Sequence, residues 1–442
     1  MRFPDAARLT NMPIPDPSAR NQWKWIPTLY LAEGIPYVMV MTVSVVLYKR
    51  LGISNTDIAL YTSWLYLPWV IKPLWSPLVD MLRTKRFWIV FMQLAVGASL
   101  ASVALTIPAP DFFQYTLAFF WILAFSSATH DIAADGFYML ALPEHQQAAF
   151  IGVRTTFYRI ATIAAKGGLV ILAGYLETHG FTVTSAWSIT FLAAASLFLA
   201  FCVYHAAMLP RPFTDRPAAR DPSRSRPGQF LDSLFLFFRR KNILGIIAFL
   251  LLYRFAEAQL VKMVAPFLLD PRAKGGLGLT TGEVGIVYGT VGVMALMLGG
   301  LLGGYVISKQ GLKFWIWIMA CAMHLPDLIF VYLSQVQPQS FWVVNLAVAV
   351  EQFGYGFGFT AYTMVMIMIS DGPFKTVNYA VATGIMALGM MIPAMFSGWI
   401  QDQIGYPHFF LWIILSTVPG FAVVALIRID PEFGTKRAEV RH

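Results

Sequence analysis

Charged residues are scarce in this 442-residue sequence, in which Asp, Glu, Lys and Arg together make up 12%. A soluble globular protein carries roughly 25%, so an ordinary soluble enzyme and a disordered chain are both excluded. Cysteine is almost absent: Cys202 and Cys321 both lie in apolar runs, which excludes a disulfide framework and a CxxC metal motif. Hydrophobic residues instead make up 57% of the chain, and the mean hydropathy is +0.62. This surplus of apolar side chains indicates a membrane-spanning protein.

Twelve apolar runs along the chain are each long enough to cross a bilayer. We expect helices, because in lipid a helix satisfies its own backbone hydrogen bonds. The first run begins near Trp25 and is too long for the apolar part of a signal peptide. The sequence therefore predicts an all-α membrane protein with twelve transmembrane helices. Their predicted limits are 25–48, 57–79, 87–107, 112–142, 149–176, 184–208, 243–269, 281–307, 312–334, 340–370, 377–401 and 407–428.

The distribution of Lys and Arg predicts the orientation in the membrane. If the N-terminus is cytoplasmic, the segments on that side contain 22 of these residues and the opposite side contains four. Cytoplasmic loops carry such an excess, so both termini are predicted to be cytoplasmic. The net charge of +9 is therefore attributed to orientation in a lipid bilayer, and no nucleic-acid partner is expected. The predicted divisions are an N-terminal segment (1–24), a six-helix half (25–208), a cytoplasmic linker (209–242), a second six-helix half (243–428) and a tail (429–442).

The two halves resemble each other in four short segments that occur in the same order. The matched pairs are 30–34 with 254–258, 51–61 with 277–288, 128–137 with 349–358, and 173–180 with 397–405. The alignment pairs Glu33 with Glu257, Glu351 with His130, and Gln352 with Asp131. Two six-helix halves in parallel repeat are the plan of the major facilitator transporters, whose substrates bind between the halves near the bilayer midplane.

Titratable residues inside the predicted spans are candidates for function, because a charge near the bilayer centre costs roughly 2.5–3.5 kcal/mol. They are Glu33, Lys72, His130, Asp131, Asp135, Arg154, Arg159, Lys166, Arg254, Glu257, Lys262, Asp327 and Glu351. Asp131, Asp135 and Tyr138 share one face of the fourth span. Carboxylates on successive turns repel each other, so one is expected to keep its proton.

We predict that Asp131 and Asp135 couple transport to protons, with Glu33 and Glu257 as further candidates. A metal is the alternative interpretation, but the two aspartates supply only two oxygens and no His or Cys cluster on a second helix adds to them. No metal and no cofactor are therefore predicted.

Substrate binding is assigned to the polar residues of the spans near these acids. The predicted set is Lys72, His130, Tyr138, Arg159, Lys166, Arg254, Lys262, Glu351 and Gln352. Arg159 and Lys166 are expected to neutralise the aspartates or to bind an anionic substrate, whereas Arg154 is expected to be only an anchor near the cytoplasmic end. The predicted site contains equal numbers of basic and acidic residues, so one bound proton gives it a net positive charge. The basic residues are Lys72, Arg159, Lys166, Arg254 and Lys262, and the acids are Glu33, Asp131, Asp135, Glu257 and Glu351. The predicted substrate is an anionic or zwitterionic small molecule that binds together with a proton.

The loop SPLVDMLRTKRF (76–87) resembles the cytoplasmic loop motif of the major facilitators, with Ser76 in place of the usual glycine. The resemblance implies a charged gating latch formed by Asp80, Arg83, Lys85 and Arg86.

Three further segments resemble the AmpG-type permeases, a major facilitator branch that also includes acetyl-CoA transporters and siderophore importers. They are LPWVIKPLWSPLVD (67–80), THDIAADGFYMLALP (129–143) and FYRIATIAAKGGLVILAG (157–174). The resemblance implies proton-driven import of anhydro-muropeptides across a bacterial inner membrane. Siderophore or acyl-CoA transport remains open, as does a sensor. An intramembrane enzyme is not predicted, because its candidate dyad, His130 and Asp131, occupies neighbouring helix positions that do not face each other.

Overall fold

The computed structural model of the protein describes residues 22–216, 237–240, 242–371, 375–431 and 433. Most of the predicted N-terminal segment, most of the linker and most of the tail therefore lie outside the described residues. So does the side chain of Asp80, one of the predicted gating residues.

The described part of the chain is helical and contains no strand. The helices are α1 (Gln22–Arg50), α2 in two parts (Asn55–Trp64 and Leu67–Leu82), α3 (Lys85–Thr106), α4 (Phe112–Ala141), α5 (144–178), α6 (Val183–Met208), α7 (Ile243–Leu269), α8 (Thr281–Gln310), α9 (Leu312–Val336), α10 (Phe341–Ser370), α11 (375–404) and α12 (406–426). Side-chain oxygens of Ser54, Thr84, Thr182 and Thr280 accept backbone N–H groups at helix starts.

Ten of the described helical stretches are long and apolar enough to cross a membrane. One of them, Val377–Leu426, is 50 residues long and contains Gly405 at φ 71°, outside the helical region. This glycine separates α11 from α12, so that stretch consists of two helices. The interrupted α2 is missing from the ten because its parts are only 10 and 16 residues long. Each predicted apolar run therefore corresponds to one of the helices α1 to α12.

The chain packs as two six-helix halves, α1–α6 and α7–α12. Between the halves, α2 packs against α11 and α5 packs against α8. In the sequence repeat α2 is equivalent to α8, and α5 is equivalent to α11. The two contacts are therefore related by a pseudo-two-fold axis, as expected for a parallel repeat.

Polar contacts join the two halves at one end of the bundle, which we call the closed end: residues 49–56, 177–182, 270–281 and 401–406. Lys49 Nζ lies 2.7 Å from Asp270 Oδ2, an ion pair between the halves. Tyr406 donates a 2.6 Å hydrogen bond to the same carboxylate, and Asn55 donates to Tyr406 at 3.1 Å and to Gln401 at 2.6 Å. On the other side of the axis Thr281 donates to Glu177 at 2.7 Å.

Backbone contacts reinforce the closed end at two glycines. A Cβ on Gly174 of α5 would overlap the backbone of Gly282 in α8, and a Cβ on Gly398 of α11 would overlap the carbonyl oxygen of Asn55. Gly174 and Gly398 are matched in the sequence repeat, so the two approaches are equivalent. Only glycine allows helices to come this close.

Candidate functional site

Three carboxyl groups from two helices meet in the N-terminal half: Glu33 of α1 with Asp131 and Asp135 of α4, here called the N-terminal triad. One oxygen from each lies within 4.8 Å of the others. The sequence spacing places both aspartates on one face of α4, and α1 packs against that helix. Glu33 is 6% exposed, and its Oε2 accepts no hydrogen bond from the described residues.

Two cations from other helices pair with the N-terminal triad. Lys72 of α2 forms an ion pair with Asp131, and Arg154 of α5 lies 2.6 Å from Asp135. The four side chains remain 23–35% exposed, so water reaches the cluster. The expectation that Arg154 is only an anchor is wrong, and the pairing cations are Lys72 and Arg154 rather than Arg159 or Lys166.

Two tyrosines complete the surroundings of Arg154. The guanidinium carbon lies 4.6 Å from the ring centre of Tyr30 and 5.7 Å from that of Tyr138. Tyr30 also donates a 3.4 Å hydrogen bond to Asp135, whereas Tyr138 donates at 2.5 Å to the backbone oxygen of Gln147. Tyr30 was not singled out from the sequence, because its role depends on how α1 packs against α4 and α5.

His130 points away from the triad into the interior of the N-terminal half. Its Nε2 lies 3.0 Å from the side-chain nitrogen of Gln93 in α3. Gln93 in turn lies 3.0 Å from His205, whose other nitrogen lies 3.0 Å from Thr28. His130 is 1% exposed. The contacts from His130 through Gln93 and His205 to Thr28 therefore link α4, α3, α6 and α1 within the N-terminal half.

A second group of acids, the C-terminal triad, lies in the other half: Glu257 of α7, Asp327 of α9 and Glu351 of α10. One oxygen from each again lies within 4.8 Å of the others, and their exposures are 0%, 1% and 1%. Gln352 donates to both oxygens of Glu351, at 3.2 and 3.0 Å. The triads are related by the sequence repeat through Glu33 and Glu257, and each uses the first and fourth helix of its half.

Two lysines reach across the interface between the halves. Lys166 of α5 places its Nζ 3.1 Å from the ring centre of Tyr288 in α8. Lys262 of α7 donates a 2.9 Å hydrogen bond to Thr62 of α2 and lies 5.8 Å from the ring centre of Tyr66. Neither forms an ion pair with a described residue, and both contact the opposite half of the molecule.

The two predicted arginines differ in their surroundings. Arg159 of α5 is half-buried. Arg254 donates to the hydroxyl of Tyr355 and lies 4.7 Å from the ring centre of Phe359, so its contacts lie within the C-terminal half.

The basic residues of the predicted gating loop contact the start of the linker. The backbone N–H groups of Lys85 and Arg86 donate to the Asp215 carboxylate at 2.7 and 3.0 Å, at the N-terminus of α3. Arg86 also donates to the backbone oxygens of Leu209 and Ala206. Arg83 lies over the ring of Phe87. Asp215 was missed from the sequence, since nothing in a Pro/Arg-rich segment marks one aspartate as a helix cap.

Comparisons with known proteins agree with this architecture. A family model described as Major Facilitator Superfamily matches residues 28–373. The anhydromuropeptide permease of Escherichia coli (strain K12) is 23% identical over 412 residues, which cover 92% of this chain and 79% of that protein. The putative transporter AmpG 4 of Rickettsia conorii is 24% identical over 407 residues, covering 90% and 94%.

Two solved structures have the same fold. The nucleoside transporter NupG superposes with a TM-score of 0.66 at 16% identity and covers 93% of this chain and 100% of that one. The D-xylose–proton symporter gives 0.69 at 12% identity, covering 93% and 98%. At these identities the likeness shows the fold of the chain.

Proposed function

This chain belongs to the Major Facilitator Superfamily, and from that premise we propose that it imports an anionic or zwitterionic solute together with protons. The observation that carries the proposal is the N-terminal triad with its two cations. Three carboxylates against Lys72 and Arg154 leave one negative charge uncompensated. One bound proton, shared among the three converging carboxyl groups, would make the cluster neutral.

The two cations connect this proton site to the substrate site. Lys72 lies on α2 and Arg154 on α5, the helices of the N-terminal half that pack against the other half. An anionic solute arriving between the halves would compete with the aspartates for these cations. An aspartate that loses its counter-charge retains a proton, so solute and proton favour each other's binding, as coupling requires.

The substrate site would lie between the halves, where Arg159, Lys166 and Lys262 supply positive charge. We propose anhydro-muropeptide as the solute, because the Escherichia coli relative carries the name anhydromuropeptide permease. Siderophore or acyl-CoA transport is the alternative within the same branch. Thermal-shift assays of the detergent-purified protein with anhydro-muropeptides, ferric siderophores and acyl-CoA would discriminate among them.

We propose a bacterial inner membrane as the location, with residues 1–24, 209–242 and 429–442 in the cytoplasm. The charge asymmetry of 22 to four supports this orientation. The closed end then lies away from the cytoplasm, and the partly exposed aspartates of the N-terminal triad would be reached from the cytoplasmic side. A reporter active only outside the cytoplasm should give no signal at either terminus, and a signal from one would contradict the topology.

The coupling proposal is tested in proteoliposomes with Asp131→Asn and Asp135→Asn, which keep the shape of the side chain and remove its titration. Both variants should lose uphill uptake driven by a pH gradient and should still exchange labelled solute across the membrane. Asp111→Asn is the matched control, because Asp111 is exposed at the start of α4 and its side chain makes no helix-capping hydrogen bond. If both triad variants still concentrate solute, the proton site lies elsewhere.

A further inference from the structure

We propose that the C-terminal triad is a binding site for one sodium ion. Glu257, Asp327 and Glu351 come from three different helices, and their carboxyl oxygens converge within 4.8 Å. Oxygen ligands lie about 2.3–2.6 Å from calcium, a hard cation of the size of sodium, so ligands on opposite sides of such an ion are about 4.8 Å apart. The ligand set contains only oxygens, which favours a hard cation over a transition metal.

The carboxylates themselves lack partners for their charge. All four oxygens of Glu257 and Asp327 accept no hydrogen bond from the described residues, although the two side chains are 0% and 1% exposed. Buried carboxylates are stable only when paired, hydrogen-bonded or bound to a cation. These two point toward each other and toward Glu351, so one ion between them would satisfy both.

The charges that face the triad leave room for one positive charge. Arg254 and Lys166 are the nearby cations, and both are engaged elsewhere: Arg254 with Tyr355 and Lys166 with the ring of Tyr288. Among the described residues no ion pair joins either cation to the triad, so its carboxylates lack a counter-charge in direct contact. The remaining polar neighbours are Gln352, which donates to Glu351, and His324, one turn before Asp327 in α9.

Two of the helices that carry the C-terminal triad are irregular close to its acids in sequence. The helical pattern of α7 is interrupted at residues 253–254, three residues before Glu257. In α9 a 3-10 turn, Leu325–Asp327, replaces regular helix at the acidic residue itself. Unwound backbone in interrupted helices coordinates sodium in other transporters. The N-terminal triad differs, since Lys72 and Arg154 already neutralise its aspartates.

Sodium binding is tested on the full-length protein in detergent by thermal unfolding in NaCl, with KCl or choline chloride at equal ionic strength. Sodium should raise the unfolding temperature of the wild type in a saturable way that the other salts do not reproduce. Asp327→Asn and Glu351→Gln should each weaken sodium binding at least about tenfold, since loss even of groups that only support metal ligands costs roughly 10–100-fold. Asp111→Asn should respond like the wild type.

Direct binding of radioactive sodium to the wild type keeps the test decisive if a variant fails to fold. Saturable binding that lithium displaces and potassium does not would support the site. An absence of sodium binding and of any sodium-specific stabilisation would overturn it. Stabilisation by acid alone, lost in Asp327→Asn, would also overturn it, because the triad would then hold a proton. The assay measures no transport, so its outcome is independent of the muropeptide proposal.

Discussion

Asp270→Asn should shift the protein toward the state in which the closed end is open. The change removes the charge facing Lys49 in a pair whose side chains are only 7% and 14% exposed. Removing one partner of a buried ion pair costs about 3–5 kcal/mol. We expect about 2–3 kcal/mol here, because Lys49 keeps its 2.7 Å hydrogen bond to Asn55 and Tyr406 retains an acceptor. At 1.4 kcal/mol per factor of ten, the closed population falls roughly 30- to 150-fold relative to the open one.

Distances between spin labels across the closed end measure this shift. Thr178→Cys and Gln403→Cys place one label on each half at exposed positions, after Cys202 and Cys321 have been replaced by serine. The wild type should show mainly the shorter distance of the closed state. Asp270→Asn should show a population at longer distance that grows at the expense of the shorter one.

The control for this measurement is Asp57→Asn, at the same end of the molecule. Asp57 bonds to Ser54 in its own half and makes no described contact across the interface. It should therefore leave the distances unchanged. If Asp270→Asn gives the wild-type distribution as well, the ion pair with Lys49 does not hold the halves together and the reasoning fails.

Four further substitutions test other contacts. Gly174→Ala and Gly398→Ala should each populate the longer distance in the same spin-label assay, because the added Cβ meets backbone of the other half; unchanged distances would show that the helices simply shift sideways. Lys262→Gln should raise the KM for an anionic solute several-fold while leaving a neutral analogue unaffected, and equal effects on both would argue for a structural role. Asp215→Ala should lower stability by about 0.5–2 kcal/mol through loss of the α3 cap, seen as a lower unfolding temperature with solute binding preserved.

The positions of the helices could be predicted from the sequence because the bilayer imposes length and polarity on every span. The predicted run 243–269 coincides with α7, and 112–142 with α4. The repeat between the halves was also visible, since Glu33 and Glu257 stand at equivalent places in α1 and α7. These features depend on the local order of apolar and charged residues, which can be read directly from the sequence.

The pairing of charges could not be predicted in the same way. Lys72 and Arg154 reach Asp131 and Asp135 from other helices, and their partners depend on helix rotation and tilt that hydropathy does not encode. The C-terminal triad was missed as a group because Asp327 lies at a helix break in α9, outside the repeat alignment. The closed-end contacts of Asp270 join helix ends of both halves, Lys49 of α1 and Tyr406 of α12, whose proximity depends on how the halves pack.

The unequal exposure of the two triads has a kinetic consequence. Side chains that are 23–35% exposed in the N-terminal cluster exchange protons with water in this state, whereas the acids of the other triad, at most 1% exposed, have no such route. Whatever cation neutralises the sealed acids must therefore enter or leave through another conformation or a local opening. Its residence time would then follow the rate of that motion, while the exposed cluster re-equilibrates many times within each transport cycle.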